Sequence, residues 1–176
     1  KLKTVIGERV AKLEKVDRGF KATTTGGASY EATAVLIASG AARRRLEVPG
    51  ADAFEHKGVT YCASCDGPLF ADQDVVVIGG GNAGFETAAQ LLAYAKSVTL
   101  LHRRHSFKAD AITVEKVLAN PKMTALLHTA PVEVKGDKFV SGLVIEDLDT
   151  KEQRELATTG IFVEVGVMPI VLGHLV

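Results

Sequence analysis

The sequence predicts an α/β fold, a Rossmann-like three-layer domain with a parallel sheet and an antiparallel β-meander. The first observation is a short, wholly apolar and β-branched run at residues 75–78, typical of a parallel strand covered on both faces. The second is the glycine turn that follows it, after which residues 85–94 are rich in helix formers. The third is an apolar run at residues 97–101, which completes a right-handed βαβ unit.

The first forty residues are predicted to be rich in strands. Residues 8–16 alternate apolar and charged side chains, which indicates a half-buried strand. Residues 20–25 and 29–34 predict two more strands, and the apolar run at residues 35–38 predicts a buried strand that ends a small meander. A domain boundary is expected at residues 41–50, where the periodic pattern of apolar residues is lost. The basic run at residues 43–45 favours a solvated linker there.

The second half of the chain continues the α/β pattern. Residues 110–119 carry an apolar stripe at helical spacing, which predicts a helix closed by Asn120-Pro121. Short strands are predicted at residues 124–127, 131–135, 139–146, 153–156 and 160–166. The first of these extends the parallel sheet, and the next three form an antiparallel set.

Composition excludes several classes of function. The 176 residues have a formal net charge of +0, so the charge balance favours neither nucleic acid nor a membrane surface. No apolar run approaches the roughly 20 residues that a membrane-spanning helix needs. The N-terminus lacks a signal-peptide pattern, so a cytoplasmic protein is expected, and a start at Lys1 rather than methionine predicts a fragment.

Gly79, Gly81 and Gly84 form the pattern G-x-G-x-x-G between the predicted strand and the predicted helix. In dinucleotide-binding domains the first glycine allows a tight turn, the second admits a pyrophosphate, and the third lets helix and strand pack closely. The helix start near Asn82 would supply free N–H groups to the phosphates. The pattern also occurs as a purely structural glycine turn, but its placement favours dinucleotide binding.

The residues after the second parallel strand favour NADPH over NADH. An acidic residue there would bind the ribose 2′-hydroxyl of NAD, but the chain reads Leu101-His102-Arg103-Arg104. Arginine offers bidentate, charge-assisted hydrogen bonds to the 2′-phosphate of NADPH. Lys108 could add a further positive charge, and the alternative interpretation is an ordinary solvated basic loop.

The chain has two cysteines, Cys62 and Cys65, and three interpretations of the pair are open. Half of a zinc site is disfavoured, because zinc needs four ligands and no histidine shows ligand spacing to the pair. The histidines are His56, His102, His105, His128 and His174. Two unrelated buried cysteines are the second interpretation. A redox-active pair is favoured, because both lie in one helical turn near a predicted helix start, which favours the thiolate.

Asp66 directly follows the second cysteine. Two roles are open for it: a proton donor or acceptor for the thiols, or a simple turn residue.

A dithiol beside an NADPH-binding fold poses a chemical problem. Hydride transfer moves two electrons at once, whereas thiol exchange needs a nucleophilic thiolate. A flavin normally mediates between them. Since the one phosphate-binding glycine turn is assigned to NADPH, a flavin is expected to be bound by residues outside this chain.

Three motifs resemble those of low-molecular-weight, bacterial-type thioredoxin reductases and occur in the order of that family. They are Cys62-Ala-Ser-Cys65-Asp66-Gly67, then Gly79-Gly-Gly-Asn82-Ala83-Gly84-Phe-Glu86, then His102-Arg103-Arg104 with Phe107-Lys108. The flavoprotein component of alkyl hydroperoxide reductase is similar too. The resemblance covers essentially the whole chain, but only the middle of the family's chain.

The resemblance implies an NADPH-dependent flavoprotein disulfide reductase that passes electrons through FAD to thioredoxin or a similar protein. It implies that Cys65 faces the flavin, that Cys62 attacks thioredoxin, and that Asp66 is the acid–base residue. The implied nucleotide-binding residues are Gly79, Gly81, Asn82, Ala83, Gly84, Glu86, His102, Arg103, Arg104 and Lys108.

The resemblance also implies a division into domains. An NADPH-binding domain at residues 43–160 would be inserted into an FAD domain, of which residues 1–42 and 161–176 would be partial segments. The chain is then expected to bind NADPH, to hold no FAD and to be inactive alone, and the full-length protein is expected to be a homodimer.

Two departures from the family's pattern leave the electron acceptor open. The family usually has arginine where Lys108 stands, and residues 107–110 are similar to the peroxide-system flavoprotein, which uses NADH and lacks the paired arginines. An NADH-linked peroxiredoxin reductase is therefore the first alternative. The second is a non-catalytic nucleotide-binding module.

Overall fold

The computed structural model describes residues 3–170. The end of the expected FAD-domain segment at residues 161–176, with His174, lies outside the described residues. Helices and strands follow in chain order: β1 (Val10–Val16), β2 (Gly19–Thr24), β3 (Ser29–Ala32), β4 (Ala41–Arg43), β5 (Val59–Thr60), α1 (Ala63–Asp66), a 3-10 turn (Gly67–Phe70), β6 (Asp74–Ile78), α2 (Asn82–Leu91), β7 (Ser97–His102), α3 (Ala111–Leu118), β8 (Met123–Leu127), β9 (Thr129–Gly136), β10 (Val140–Asp147), β11 (Gln153–Ala157), β12 (Gly160–Val163) and β13 (Val167–Pro169).

The described residues divide into two compact units, one of residues 3–42 with 167–170 and one of residues 43–166. In the first unit β1, β2 and β3 form the predicted antiparallel meander. The expected buried strand at residues 35–38 is wrong, because these residues form no strand and Leu36 is 91% exposed. An apolar strand needs a partner strand and cover, and the described part of the chain offers neither to this run.

The basic run at residues 43–45 is not simply a solvated linker. Arg43 is the last residue of β4. The Arg45 guanidinium lies 3.1 Å from a carboxylate oxygen of Glu55 and 3.7 Å from one of Asp52. The run therefore contains the last residue of a strand and an arginine that is ion-paired with Glu55. Three consecutive arginines in the sequence indicate neither.

The second unit is built on a five-stranded parallel sheet in the order β5-β12-β6-β7-β8. The strand predicted at residues 160–166, most of which is expected to belong to an FAD-domain segment, is placed differently, since β12 pairs with β5 and β6 inside this sheet. The unit continues to residue 166, six residues beyond the expected boundary at 160. An apolar strand is stable where strands pair with it on both sides and other elements cover both of its faces. Between β5 and β6, β12 has both neighbours.

Two layers cover the parallel sheet, which confirms the three-layer prediction. Val75 and Val77 point to the face covered by α2 and α3, where Phe85 is fully buried. Val76 and Ile78 point to the opposite face, which is covered by the antiparallel sheet β11-β10-β9. Because successive side chains of a strand point to opposite faces, a strand that is covered on both faces has to be apolar throughout.

No helix in residues 3–170 is long and apolar enough to cross a membrane.

Candidate functional site

The glycine turn joins β6 to α2, and two of its glycines are required by the fold itself. Gly79 has φ +131°, a conformation that residues with a side chain rarely adopt, and a Cβ there would collide with the carbonyl oxygen of Glu164. A Cβ on Gly84 would collide with the carbonyl oxygen of Gly79. These glycines therefore allow the turn and the close packing of α2 on it.

Gly81 is different, because nothing in the described protein requires a glycine there. Its φ of −98° and ψ of −176° are extended backbone that any residue adopts. No described atom outside its own neighbours lies within 4 Å of the place that a Cβ would occupy. The glycine keeps open a space that the protein does not fill, next to the first residue of α2.

The N-terminus of α2 presents free donors to this space. Gly81 is the N-cap residue, and no side chain caps the helix. The first N–H groups of a helix have no partner inside it, and they favour anions. Asn82 and Ala83 are exposed at this end, and Glu86 is exposed one turn further on. The geometry suits the phosphates of a dinucleotide.

The His102 side chain links the glycine turn to the segment that follows β7 through two hydrogen bonds. The Gly80 N–H donates to Nδ1 of the buried His102 ring over 3.2 Å, and Nε2 donates to the carbonyl of Ser106 over 2.9 Å. A Cβ on Gly80 would also overlap this ring. With both nitrogens bonded to the backbone, His102 has none left for a phosphate, so the structure gives it a supporting position.

Burial lowers the pKa of His102 below its ordinary range. The positive charges of Arg104, Arg103 and Lys108 act in the same direction, and the bond to the Ser106 carbonyl opposes them. The neutral ring is the form that accepts a hydrogen bond from Gly80. The positively charged neighbours therefore help to keep the link between the two segments intact.

The His102→Gln variant should change how stability depends on pH. Because folding depresses the pKa of His102, its contribution is fully present above the ordinary value of about 6.5 and is lost as the pH falls towards the folded value. We expect the wild type's free energy of unfolding to fall in this range and the variant's to fall less. Urea unfolding between pH 8 and pH 5 measures this, with His56→Gln at an exposed histidine as control. Equal pH slopes in all three proteins would contradict the prediction.

The segment that His102 anchors, residues 103–109, is called the arginine loop here. Arg103, Arg104 and Lys108 are exposed on it, and none forms a salt bridge with a carboxylate of residues 3–170. The Lys108 N–H donates to the Gly80 carbonyl over 2.9 Å. Just after the loop, the Asp110 N–H donates to Oδ1 of Asn82 over 2.8 Å. The fold thus brings the predicted cationic residues to the glycine turn.

Cys62 and Cys65 form a disulfide around the start of α1, with their Cα atoms 5.3 Å apart. This places both cysteines in one helical turn, as the spacing predicts. Cys65 is exposed and Cys62 is half-buried. The backbone N–H of Cys65 donates to Sγ of Cys62 over 3.2 Å.

Asp66 lies at the end of α1 and accepts a hydrogen bond from the hydroxyl of Thr60. The same hydroxyl oxygen accepts from the N–H of Cys62 over 3.3 Å. Thr60 therefore connects the carboxylate to the backbone of the first cysteine. Sequence reasoning missed it, because the burial of Thr60, which is 5% exposed, at the end of a two-residue strand is visible only in the structure.

The dithiol and the glycine turn contact different ends of α2. Oγ of Ser64, which lies between the two cysteines, donates to Oε1 of Gln90 over 2.9 Å. Gln90 lies eight residues after Asn82, which is about 12 Å along a helix that rises 1.5 Å per residue. The structure therefore brings the segment with the cysteines to the C-terminal end of α2, and not to the N-terminal end that follows the glycine turn.

Comparison with known proteins agrees with the fold and with the motifs. The family described as pyridine nucleotide-disulphide oxidoreductase matches residues 1–173. A thioredoxin reductase of Mycolicibacterium smegmatis is 44% identical over 146 residues, which cover 83% of this chain and 47% of that protein. A component of the alkyl hydroperoxide reductase of Staphylococcus epidermidis is 39% identical over 166 residues, covering 94% of this chain and 33% of that protein.

Solved structures give the same result. The thioredoxin reductase of Giardia duodenalis matches with a TM-score of 0.79 and 33% sequence identity, covering 94% of this chain and 54% of that one. The chain thus spans about half or less of the length of the relatives that it matches.

Proposed function

Because the chain belongs to the pyridine nucleotide-disulphide oxidoreductase family, we propose that it is the NADPH-binding and dithiol-bearing part of a disulfide reductase of the thioredoxin reductase type. Its role would be to bind NADPH at the glycine turn and to reduce a protein disulfide with Cys62 and Cys65. Thioredoxin, or a protein like it, is the proposed acceptor.

The open space at Gly81 is the observation that carries this proposal. Gly79 and Gly84 are explained by contacts inside the protein, whereas the glycine at position 81 has no internal explanation. A pyrophosphate that approaches the backbone closely explains it, and the uncapped N-terminus of α2 offers that group hydrogen bonds. Gly79, Gly81, Asn82, Ala83 and Gly84 would hold the phosphates.

The arginine loop supports NADPH as the nucleotide. Two exposed guanidinium groups and the ammonium of Lys108 follow β7, where a dinucleotide-binding domain contacts the ribose. The 2′-phosphate would form ion pairs with Arg103, Arg104 and Lys108, which form no salt bridge within residues 3–170. His102 would act indirectly, by holding the loop against the glycine turn.

The chemistry of the dithiol is a disulfide exchange. The Cys62 thiolate would attack one sulfur of the substrate disulfide, forming a mixed disulfide and releasing one substrate thiolate. The Cys65 thiolate would then attack Sγ of Cys62, restoring the Cys62–Cys65 disulfide and releasing the second. Two electrons pass to the substrate, and its two sulfurs take up two protons. The Cys65 N–H directed at Sγ of Cys62 favours a thiolate there, and Asp66 would accept or supply a proton.

A flavin would carry electrons between the nucleotide and the disulfide, since it accepts hydride and delivers electrons to a disulfide. The strand–glycine turn–helix segment formed by β6 and α2 is proposed for NADPH, so the FAD phosphates would need another segment of the full-length protein. Residues 1–42 and the segment after residue 166 are proposed as parts of an FAD domain. The assembled protein is proposed to be a homodimer.

The Gly81→Val variant tests the proposed phosphate site. Its backbone conformation accepts valine and its surroundings leave room, so the fold should persist. The unfolding midpoint should fall slightly, because valine is a poorer N-cap residue than glycine. The side chain would occupy the pyrophosphate position, and we expect NADPH affinity to fall about 10- to 100-fold, the loss of one or two hydrogen bonds to a charged group. Calorimetric titration measures this. Undiminished affinity in a folded variant would overturn the proposal.

An NADH-linked peroxiredoxin reductase is the second candidate. It is favoured by the 39% identity to an alkyl hydroperoxide reductase component over 94% of the chain. The arginine loop argues against it, because NADH has no 2′-phosphate for paired arginines. Comparing the affinities of the chain for NADPH and NADH separates the two candidates.

A further inference from the structure

A cluster of possible metal ligands lies beside the arginine loop. His105 of that loop, His128 between β8 and β9, and Asp149 after β10 each offer one ligand atom, and these atoms lie within 4.8 Å of one another. We propose that these three side chains form a binding site for Zn²⁺, with water as the fourth ligand.

The backbone of His128 is held in a conformation that favours this arrangement. Its φ is +50°, a left-handed conformation that is uncommon for a residue with a side chain, although histidine adopts it more often than most residues do. Its N–H donates to the carbonyl of Arg104 over 3.1 Å, and its carbonyl accepts from the N–H of Leu148 over 2.8 Å. Both bonds fix the point from which the imidazole projects.

The contact between His128 and Asp149 is short but is not a hydrogen bond. Nδ1 of His128 lies 2.6 Å from Oδ2 of Asp149, yet this buried nitrogen has no hydrogen-bond partner in residues 3–170. An approach this close fails as a hydrogen bond only when it is badly misaligned. A buried polar atom without a partner costs free energy. A cation coordinated by both atoms would satisfy the nitrogen and the carboxylate together.

His105 supplies the second imidazole. Its ring stacks on that of His128 with 3.7 Å between the centroids and a tilt of 34°. In a tetrahedral zinc site with bonds of about 2.0–2.1 Å, ligand atoms lie roughly 3.4 Å apart. His105 and Asp149 are exposed, so rotation of their side chains can reach this spacing.

The ligand chemistry selects zinc over the common hard cations. Two imidazoles and one carboxylate are a donor set typical of zinc with an open coordination position. Mg²⁺ and Ca²⁺ prefer sites made of oxygen ligands. The proposed site is separate from the cysteines, which are paired with each other in the disulfide.

Zinc titration of the chain with its disulfide intact tests the site. We expect calorimetry with zinc chloride to show one equivalent bound, and His105→Gln, His128→Asn and Asp149→Asn each to weaken binding by about tenfold or more. His56→Asn is the matched control for His128→Asn, because His56 also has a positive φ, +62°, and lies outside the cluster. Circular dichroism verifies that each variant is folded. Failure of the wild type to bind zinc, or equal affinity in all variants, would overturn the site.

A second measurement tests a consequence that rests on the proposed function. Zinc would replace the negative charge of Asp149 by a net positive charge at His105, the residue next to Arg104, so NADPH should bind about threefold more tightly at low ionic strength. The Asp149→Asn variant should lose this dependence on zinc. Unchanged NADPH affinity would refute the coupling, whereas absence of NADPH binding with zinc bound would refute the proposed function and leave the site standing.

Discussion

Replacing Arg103 and Arg104 together by alanine is expected to weaken NADPH binding by about 100-fold or more and to leave NADH binding nearly unchanged. A hydrogen bond to a charged group contributes about 1.5–3 kcal/mol, and a factor of ten in affinity corresponds to about 1.4 kcal/mol. The two guanidinium groups would both act on the 2′-phosphate, which NADH lacks. Titration of the chain with each nucleotide measures the two affinities.

The matched control is Arg154→Ala, which removes an exposed arginine from β11, outside the arginine loop. It should leave both affinities unchanged and so exclude a general effect of net charge. Equal losses for NADPH and NADH in the double variant would show that the arginines do not read the 2′-phosphate. That result would favour the NADH-linked candidate.

Either Cys62→Ser or Cys65→Ser is expected to abolish reduction of a protein disulfide completely. One thiol can form a mixed disulfide, but a second must attack it to release the reduced substrate. The chain, reduced chemically and freed of reductant, should reduce one equivalent of oxidised thioredoxin, and each variant should reduce none. Thioredoxin that carries two free thiols, counted after covalent adducts have been separated, measures this without any flavin, because a mixed disulfide by itself frees one thiol of thioredoxin.

The two variants should also differ from each other. Cys65→Ser keeps the proposed attacking thiol and should form a covalent adduct with thioredoxin, whereas Cys62→Ser should form it much more slowly. Ser64→Ala, which removes the hydroxyl bonded to Gln90, controls for disturbance of α1 and should behave as wild type. Faster adduct formation by Cys62→Ser would reverse the proposed roles and follow the greater exposure of Cys65.

The central part of the fold was predictable because its signals are local. The apolar run of β6, the glycines and the helix formers of α2 are consecutive in the sequence, and each constrains the backbone directly. The dithiol turn was predictable for the same reason, since a spacing of three residues closes one turn. The fold class and the family resemblance are confirmed by the structure and the comparisons.

Features that depend on distant partners could not be predicted. The apolar runs at residues 35–38 and in β12 look alike in sequence, but only β12 finds neighbouring strands. His102 was expected among the nucleotide-binding residues, because its position was visible and its bonds to Gly80 and Ser106 were not. The cluster of His105, His128 and Asp149 joins three separate segments, which no local spacing reveals.

The arginine loop is attached to the glycine turn in a way that does not depend on its two arginines. The direct bonds that hold the loop's end to the glycine turn come from the main-chain N–H groups of Lys108 and Asp110, which most residue types would supply equally. Substitutions at positions 103 and 104 therefore leave the tether in place. At the proposed nucleotide site, preference would therefore shift between NADPH and NADH by one or two substitutions, while the proposed phosphate-binding turn stays unchanged.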